Sequence, residues 1–325
     1  MRALLCQDGL QLDPSYPEPA PKQEAVVRTR LAGICNTDLE LLRGYMTFRG
    51  VLGHEFVGEV VAAPDSRWIG KRVAGDINAA CRRCPTCLAG RHTHCPNRTT
   101  LGIFGRDGAF ADYLALPIEN LCEVPDEVPD EAAVFTEPLA AACEILEQVS
   151  IRPDDRVVVL GDGKLGLLVA AVLRLTGADL TMVGRHEAKL AVAEAWGIAT
   201  NNAGNVTNAR TTAKPLPGRQ ADVVVECTGS PQGFAEACRL LRPRGQLVLK
   251  STYHGDLQIN MSALVVDEIS LVGSRCGPFA PALRLLAAGL VDPRPLISAT
   301  YALADGKAAF AHAAVPGALK VLLKP

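Results

Sequence analysis

Four cysteines in the short segment 81–95 form the most distinctive chemical group of this chain of 325 residues. Their spacing is C-x2-C-x2-C-x7-C, and they are Cys81, Cys84, Cys87 and Cys95. Four thiolates this close in sequence can surround one Zn²⁺ tetrahedrally, and a closed shell of four cysteines is typical of a structural site. The spacing therefore predicts a lobe that is stabilised by one structural zinc ion.

A second set of residues has the composition of an open metal site. Cys35 lies in the segment GICNTD, His54 in GHE with Glu55 beside it, and Glu137 in FTEPLAA. Cysteine, histidine and carboxylate ligands with a free fourth position are what a catalytic zinc needs. Taken singly, Cys35 is more often a small buried hydrophobic residue and His54 a hydrogen-bonded core residue.

The segment GDGKLG predicts a dinucleotide site. Its candidate binding residues are Gly161, Gly163, Lys164, Leu165 and Gly166. The glycines permit a tight turn and let a pyrophosphate approach the N-terminus of the following helix. The pattern alone is weak, but here it stands between a strand-like and a helix-like run, with further βα units after it.

The end of the next strand, VGRHEAK, bears on the choice of cofactor. Folds that prefer NAD end this strand with an acidic residue that holds the ribose 2′-hydroxyl. Gly184 stands in that position, Arg185 follows it, and Lys189 lies one helical turn further on. We expect no anion here to repel a 2′-phosphate, and the two cations could pair with it. The sequence thus predicts a preference for NADP(H), with NAD(H) possible; alternatively, Arg185 is a solvated surface residue.

The secondary structure that must position these residues changes near residue 140. Before it, short β-like runs are separated by glycine and proline turns, which predicts a mostly β domain that carries the cysteine lobe. From about residue 155, strand-like and helix-like runs alternate, which predicts a parallel sheet with helices on both faces. The polar stretch 202–220 is interpreted as a loop or a short helix. The strand-like runs are AVVRTRLAG, FVGEVVAAP and FADYLALP in the first part and VVVLG, LTMVG, DVVVECTG, GQLVLKS and SLVGS in the second.

After Arg275 the pattern changes again, with two helical runs and a last strand, LKVLLK, that we expect to return to the first domain. The predicted domains are therefore 1–139 with 275–325, and 140–274.

Composition and charge restrict the classes of partner. The net charge is −2, with 48% hydrophobic and 21% charged residues, as in ordinary globular proteins. This balance predicts no nucleic-acid partner and no membrane surface. The N-terminal run MRALLCQDG lacks the features of a signal peptide, so we expect the eleven cysteines to be reduced, in the cytoplasm.

Five segments resemble, in order and spacing, the zinc-dependent alcohol dehydrogenases of the medium-chain dehydrogenase/reductase superfamily. They are GICNTDLELLRG, VLGHEFVGEVV, the cysteine lobe, TEPLAA and GDGKLG, and the resemblance covers essentially the whole chain. Glutamate in the TEPLA position is similar to the polyol, sugar and threonine dehydrogenase branch. The resemblance implies an α/β protein with a GroES-like, mostly β catalytic domain and a Rossmann doubly wound parallel-sheet domain for the nucleotide.

The resemblance also implies roles for individual residues. Cys35, His54 and Glu137 would bind the catalytic zinc, with Glu55 as an alternating ligand or a neighbour of the ligands. Cys81, Cys84, Cys87 and Cys95 would bind the structural zinc.

Two further roles concern orientation and the proton. Asp38 would orient His54 through its other ring nitrogen, and Thr37 would contact the substrate oxygen and start the proton relay. Many relatives finish this relay with a histidine, whereas this chain has Glu40 there. The path of the proton beyond Thr37 is therefore open, and Glu40 is equally well interpreted as a solvated carboxylate.

The function implied is reversible oxidation of a secondary alcohol, polyol or sugar hydroxyl, coupled to reduction of NADP⁺, by a homodimer or homotetramer. Three alternatives are a zinc-free quinone or enone reductase of the same superfamily, a zinc-ribbon interaction module, and a nucleotide-binding descendant without turnover. The expected zinc content separates most of them: two ions per chain for the dehydrogenase, one for the ribbon module and none for the enone reductase.

Overall fold

The computed structural model describes residues 1–20, 23–203, 220–252 and 256–325. Within these ranges the β-strands, in chain order, are β1 (Ala3–Cys6), β2 (Leu10–Asp13), β3 (Ala25–Gly33), β4 (Gly50–Val51), β5 (Glu55–Ala62), β6 (Arg72–Gly75), β7 (Asn78–Ala79), β8 (Thr99–Thr100), β9 (Tyr113–Leu116), β10 (Leu121–Glu123), β11 (Arg156–Leu160), β12 (Asp179–Gly184), β13 (Ala199–Asn202), β14 (Ala221–Glu226), β15 (Leu241–Leu249), β16 (Ser270–Gly273), β17 (Ile297–Ala302) and β18 (Lys320–Lys324). The α-helices of the same ranges are α1 (Asn36–Leu42), α2 (Pro85–Leu88), α3 (Asp130–Ala133), α4 (Thr136–Gln148), α5 (Lys164–Leu173), α6 (Glu187–Ala195), α7 (Pro231–Leu240), α8 (Met261–Val266), α9 (Phe279–Ala287) and α10 (Gly306–Ala313). No helix in these parts of the chain is long and apolar enough to span a bilayer.

The chain divides into two compact units. The first contains Met1–Glu137 together with Phe279–Pro325, and the second contains Pro138–Pro278. The domain boundaries predicted from the sequence, after residues 139 and 274, lie a few residues from these points. The assignment of a catalytic and a nucleotide role to the two parts stays a prediction at this stage.

A mixed sheet of seven strands forms the centre of the first unit. Its order is β10-β6-β5-β3-β18-β17, with β9 also paired to β3. Antiparallel pairing places Gly33 of β3 opposite Glu55 of β5, and Leu322 of β18 opposite Gly33. These three strands therefore bring the GIC segment, the GHE segment and the C-terminal strand to one place.

The second unit contains a six-stranded sheet in which every strand pair is parallel. The order is β13-β12-β11-β14-β15-β16, the 3-2-1-4-5-6 order of a Rossmann fold. The predicted parallel sheet is thus confirmed. Strand β13 was not predicted, because its sequence ATNN lacks the apolar run of a buried strand. Most of the stretch 202–220, interpreted above as a loop or short helix, lies outside the described residues.

Candidate active site

The four lobe cysteines converge in the first unit. Their sulfur atoms all lie within 4.8 Å of one another, and Cys95 Sγ is 3.5 Å from Cys81 Sγ and 3.8 Å from Cys84 Sγ. Backbone N–H groups of Arg83 and Cys84 lower the pKa of Cys81 to about 6, which favours the thiolate that a metal binds. All eleven cysteines of the chain are free, so no disulfide competes for these sulfurs. The donor set fits one tetrahedral zinc ion.

A second group brings Cys35, His54 and Glu55 together, with one possible ligand atom of each within 4.8 Å of the others. Cys35 precedes the first residue of α1, while Glu55 is the first residue of β5 and His54 immediately precedes it. Two turns from different segments thus supply a thiol, an imidazole and a carboxylate. This donor set also fits a zinc ion with an open position.

Asp38 connects two members of this group. It is fully buried, and its Oδ2 accepts the backbone N–H of Cys35 at 2.8 Å. Its Oδ1 lies 3.3 Å from Nδ1 of His54, which leaves Nε2 of that ring for a ligand. One carboxylate therefore fixes both the turn that carries the thiol and the orientation of the imidazole.

The electrostatics of this group favour a cation. Burial lowers the pKa of His54, but the Asp38 carboxylate and the Cys35 sulfur outweigh burial and raise it well above its usual value. Positive charge on the imidazole then compensates the buried anions around it. A divalent metal ion would supply the same compensation.

Lys320 of β18 is a member of the site that sequence reasoning missed. Its ammonium group forms an ion pair with Glu55, both side chains are 1% exposed, and it lies 5.6 Å from the centre of the Phe135 ring. The carboxylate has room there because Gly33 has no side chain, since a Cβ at that position would lie 2.5 Å from Glu55 Oε2. The only signal in the sequence was the lysine of the apolar run LKVLLK. A charged residue near the end of a strand is common, so it did not indicate a site.

The remaining predicted residues of the first unit lie around this group. Glu137, in the first turn of α4, is not one of the three grouped residues, but it interacts electrostatically with His54 and Glu55. Burial raises the pKa of Glu137 to about 7 against the opposing effect of His54. Thr37 Oγ1 is 3.8 Å from Cys35 Sγ, whereas Glu40 accepts a hydrogen bond from Arg43 at 2.6 Å.

In the second unit, the segment GDGKLG forms the predicted turn between β11 and α5. Gly161 has a φ of +115°, and Gly163 immediately precedes the helix, with Lys164 and Leu165 in its first turn. A Cβ at Gly166 would lie 2.0 Å from the carbonyl oxygen of Gly161, so only glycine fits there. The turn leaves the N-terminus of α5 facing a position where a pyrophosphate can bind.

The end of β12 differs from its prediction. A Cβ at Gly184 would lie 2.6 Å from Cβ and Oδ2 of Asp162, the second residue of the glycine turn. Asp162 Oδ2 accepts the backbone N–H groups of Arg185 and His186, each at 2.7 Å. The expectation that no anion lies at this strand end was therefore wrong, because the glycine turn supplies the carboxylate that the strand itself lacks.

Family models of known proteins match residues of both units. Residues 21–126 match the family model described as alcohol dehydrogenase GroES-like domain, and residues 165–288 match that of zinc-binding dehydrogenase. The chain is 32% identical to the sorbitol dehydrogenase of Halalkalibacterium halodurans over 324 residues, which cover 95% of this chain and 94% of that protein. The chain belongs to the zinc-dependent alcohol dehydrogenase family.

Solved structures of similar dehydrogenases extend over the whole chain. A zinc-binding dehydrogenase of Sinorhizobium meliloti bound to NADP has a TM-score of 0.89 and 32% identity, with 100% of this chain and 99% of that one covered. An alcohol dehydrogenase of Escherichia coli complexed with NADH has the same TM-score and 26% identity, with the same coverage. The expected fold, a GroES-like domain with a Rossmann domain, is confirmed.

As a member of this family, the chain is an oxidoreductase that acts on CH–OH groups. Of its predicted site residues, the structure brings together the four lobe cysteines, and separately Cys35, His54 and Glu55 with Asp38 and Thr37 beside them. Glu137 stays outside the second group. Sequence reasoning missed Lys320 and Asp162, and for Asp162 the only available signal was an acidic residue inside the glycine turn.

Proposed function

We propose that this dehydrogenase reversibly oxidises a secondary hydroxyl of a polyol or sugar, with NADP⁺ as its preferred acceptor. The observation that carries the proposal is the convergence of Cys35, His54 and Glu55 on one point, held by the buried Asp38. A thiol, an imidazole and a carboxylate suit a catalytic zinc, and the lobe cysteines suit a second, structural zinc.

The roles of the residues follow from their positions. Cys35, His54 and a carboxylate, from Glu55 or Glu137, would hold the catalytic ion. A zinc ion bound there supplies Lewis acidity, which lowers the pKa of a substrate hydroxyl. The Thr37 hydroxyl, 3.8 Å from the Cys35 sulfur, would take the proton from that hydroxyl. Because Glu40 pairs with Arg43, we favour its interpretation as a surface carboxylate.

A substrate screen tests the function directly. The purified protein is assayed with alcohols, polyols and sugars and with both nicotinamide cofactors, by the absorbance of the reduced nicotinamide. We expect turnover of secondary hydroxyls and two zinc ions per chain, one for each cluster. Turnover of enones alone, or a protein without zinc, would contradict the proposal.

The two zinc ions should respond differently to loss of a ligand. Cys84→Ser should remove one zinc and lower the thermal midpoint or the yield of soluble protein, because binding of a structural zinc contributes to folding. Cys35→Ser should leave a folded protein that has lost most of its activity. Elemental analysis, thermal unfolding and turnover measure the three effects.

Cys238→Ser is the matched control, since Cys238 of α7 belongs to neither cluster among the described residues. It should keep both zinc ions and full activity. A fully stable Cys84→Ser protein together with a fully active Cys35→Ser protein would show that the two roles are misassigned.

The preference for NADP⁺ rests on Arg185 and Lys189. The Arg185 side chain is exposed and has no partner among the described residues, and Lys189 follows one turn later on α6. The similar dehydrogenase bound to NADP adds support, although another relative binds NADH. A bidentate guanidinium is well suited to a 2′-phosphate.

Arg185→Leu should lower kcat/KM for NADP⁺ by roughly 10- to 100-fold, because a hydrogen bond to a charged group contributes about 1.5–3 kcal/mol. The value for NAD⁺ should change little, and it serves as the internal control. An aspartate at position 184 is not a suitable second variant, because its Cβ would collide with Asp162. An unmodified enzyme that clearly prefers NAD⁺ would disprove the proposed preference.

We also propose that the enzyme is a homodimer or homotetramer. Strand β16 lies at one edge of the parallel sheet, and Val265 and Val266 of the adjoining α8 are 70% and 80% exposed. A second copy could cover this apolar edge. Sedimentation of the purified protein decides between a monomer and these assemblies.

A further inference from the structure

The buried carboxylate at the end of β12 has a second partner, the ring of His186. Nδ1 of His186 lies 3.0 Å from each oxygen of Asp162. Asp162 is 7% exposed, whereas the His186 side chain is 49% exposed. The pair therefore joins a buried anion from the glycine turn to a half-exposed imidazole just before the first residue of α6.

We infer that Asp162 is a positioning residue that holds His186 against the 2′-phosphate of NADP(H), and that His186 determines specificity together with Arg185. This rests on the cofactor preference proposed above. It adds Asp162 and His186 to that proposal, whereas the sequence suggested only the cations Arg185 and Lys189.

The contacts of Asp162 argue against direct binding of the ribose. Its Oδ2 already accepts two backbone N–H groups, from Arg185 and His186, and both oxygens face the His186 ring. A buried carboxylate with three donors has its acceptor positions largely filled. Its charge is also compensated locally, so it repels a nearby phosphate less than a free strand-end aspartate would.

The orientation of the His186 ring argues for a role toward an anion. Because Nδ1 faces Asp162, Nε2 is the ring nitrogen left for another partner, on a side chain that is 49% exposed. A ring that donates its Nδ1–H to a carboxylate donates from Nε2 only when it is protonated, and an anion on each side stabilises that form. The same two backbone contacts fix the chain at Arg185, so the guanidinium and the imidazole belong to neighbouring, fixed residues.

Calorimetric binding of two small nucleotides isolates the 2′-phosphate from the reaction. Adenosine 2′,5′-bisphosphate and adenosine 5′-monophosphate share the adenosine but differ in the 2′-phosphate, so the ratio of their Kd values measures its recognition. The zinc-loaded protein should bind the bisphosphate more tightly. In Asp162→Asn the ratio should fall by about 10-fold, the loss of one hydrogen bond to a charged group.

His186→Asn is the second variant. Its amide can occupy the place of Nδ1 beside Asp162, but it has no atom in the place of Nε2, so the ratio should again fall by about 10-fold. Because this side chain is half exposed, the variant should fold even if Asp162→Asn does not. Asp179→Asn makes the same chemical change as Asp162→Asn at the exposed first residue of β12, and it should leave the ratio unchanged.

The outcomes separate this inference from the proposed function. Equal affinity of the unmodified protein for both nucleotides would disprove the preference for NADP(H), and the inference with it. A preference for the bisphosphate that both variants retain would overturn the inference alone. An equal loss of affinity for both nucleotides would also overturn the inference, because Asp162 would then only support the turn.

Discussion

Replacing Thr37 with valine should lower turnover by roughly 10²–10⁴-fold, the range for a group that transfers a proton in the rate-limiting step. Valine keeps the shape of the side chain and removes only the hydroxyl, which lies 3.8 Å from the sulfur of Cys35. The two proposed zinc ions should stay bound, because Thr37 is not part of either cysteine-containing cluster. Steady-state turnover with elemental analysis of the same sample measures both properties.

Thr37→Ser is the control for this prediction, because it restores a hydroxyl at the same position. It should keep most of the activity, because it retains the hydroxyl. A serine variant as impaired as the valine variant would show that loss of the hydroxyl is not the cause of the impairment. Near-normal turnover of a zinc-replete Thr37→Val protein would exclude the proton-relay role.

Replacing Lys320 with methionine should destabilise the protein by about 3–5 kcal/mol, the cost of removing one partner of a buried ion pair. The variant leaves the Glu55 carboxylate buried without its partner, and Glu55 is 1% exposed. It also removes the cation over the Phe135 ring. Denaturation by urea, followed by circular dichroism, should show a clearly lower midpoint than that of the unmodified protein.

The double variant Glu55→Gln with Lys320→Met tests the cause. It should recover part of the lost stability, because it removes the uncompensated buried charge that the single variant leaves. If the single variant were as stable as the unmodified protein, the pair would contribute nothing to folding. If the double variant were no more stable than the single one, the loss would come from packing of the lysine side chain and not from an uncompensated charge.

Features that depend on neighbours in sequence were predictable. The cysteine spacing of the lobe places four sulfurs together, because a chain of so few residues can close around a single ion. The turn of GDGKLG was equally local, since its glycines and the apolar helix after them define the geometry within a few residues. The parallel sheet followed from the regular alternation of strand-like and helix-like runs. Strand β3 was predicted with the bounds that it has, Ala25–Gly33.

Features that depend on distant parts of the chain were decided by the tertiary structure alone. Lys320 and Glu55 are 265 positions apart in sequence, and only the pairing of β18 and β5 with β3 brings them together. Asp162 reaches the end of β12 because two parallel strands end at the same edge of the sheet, where the side chain of one turn fills the space above Gly184. The sequence of a strand shows which charged residues the strand itself contains. It does not show which charged residues a neighbouring turn contributes. The residues that complete both candidate sites therefore became visible only once the strands were paired.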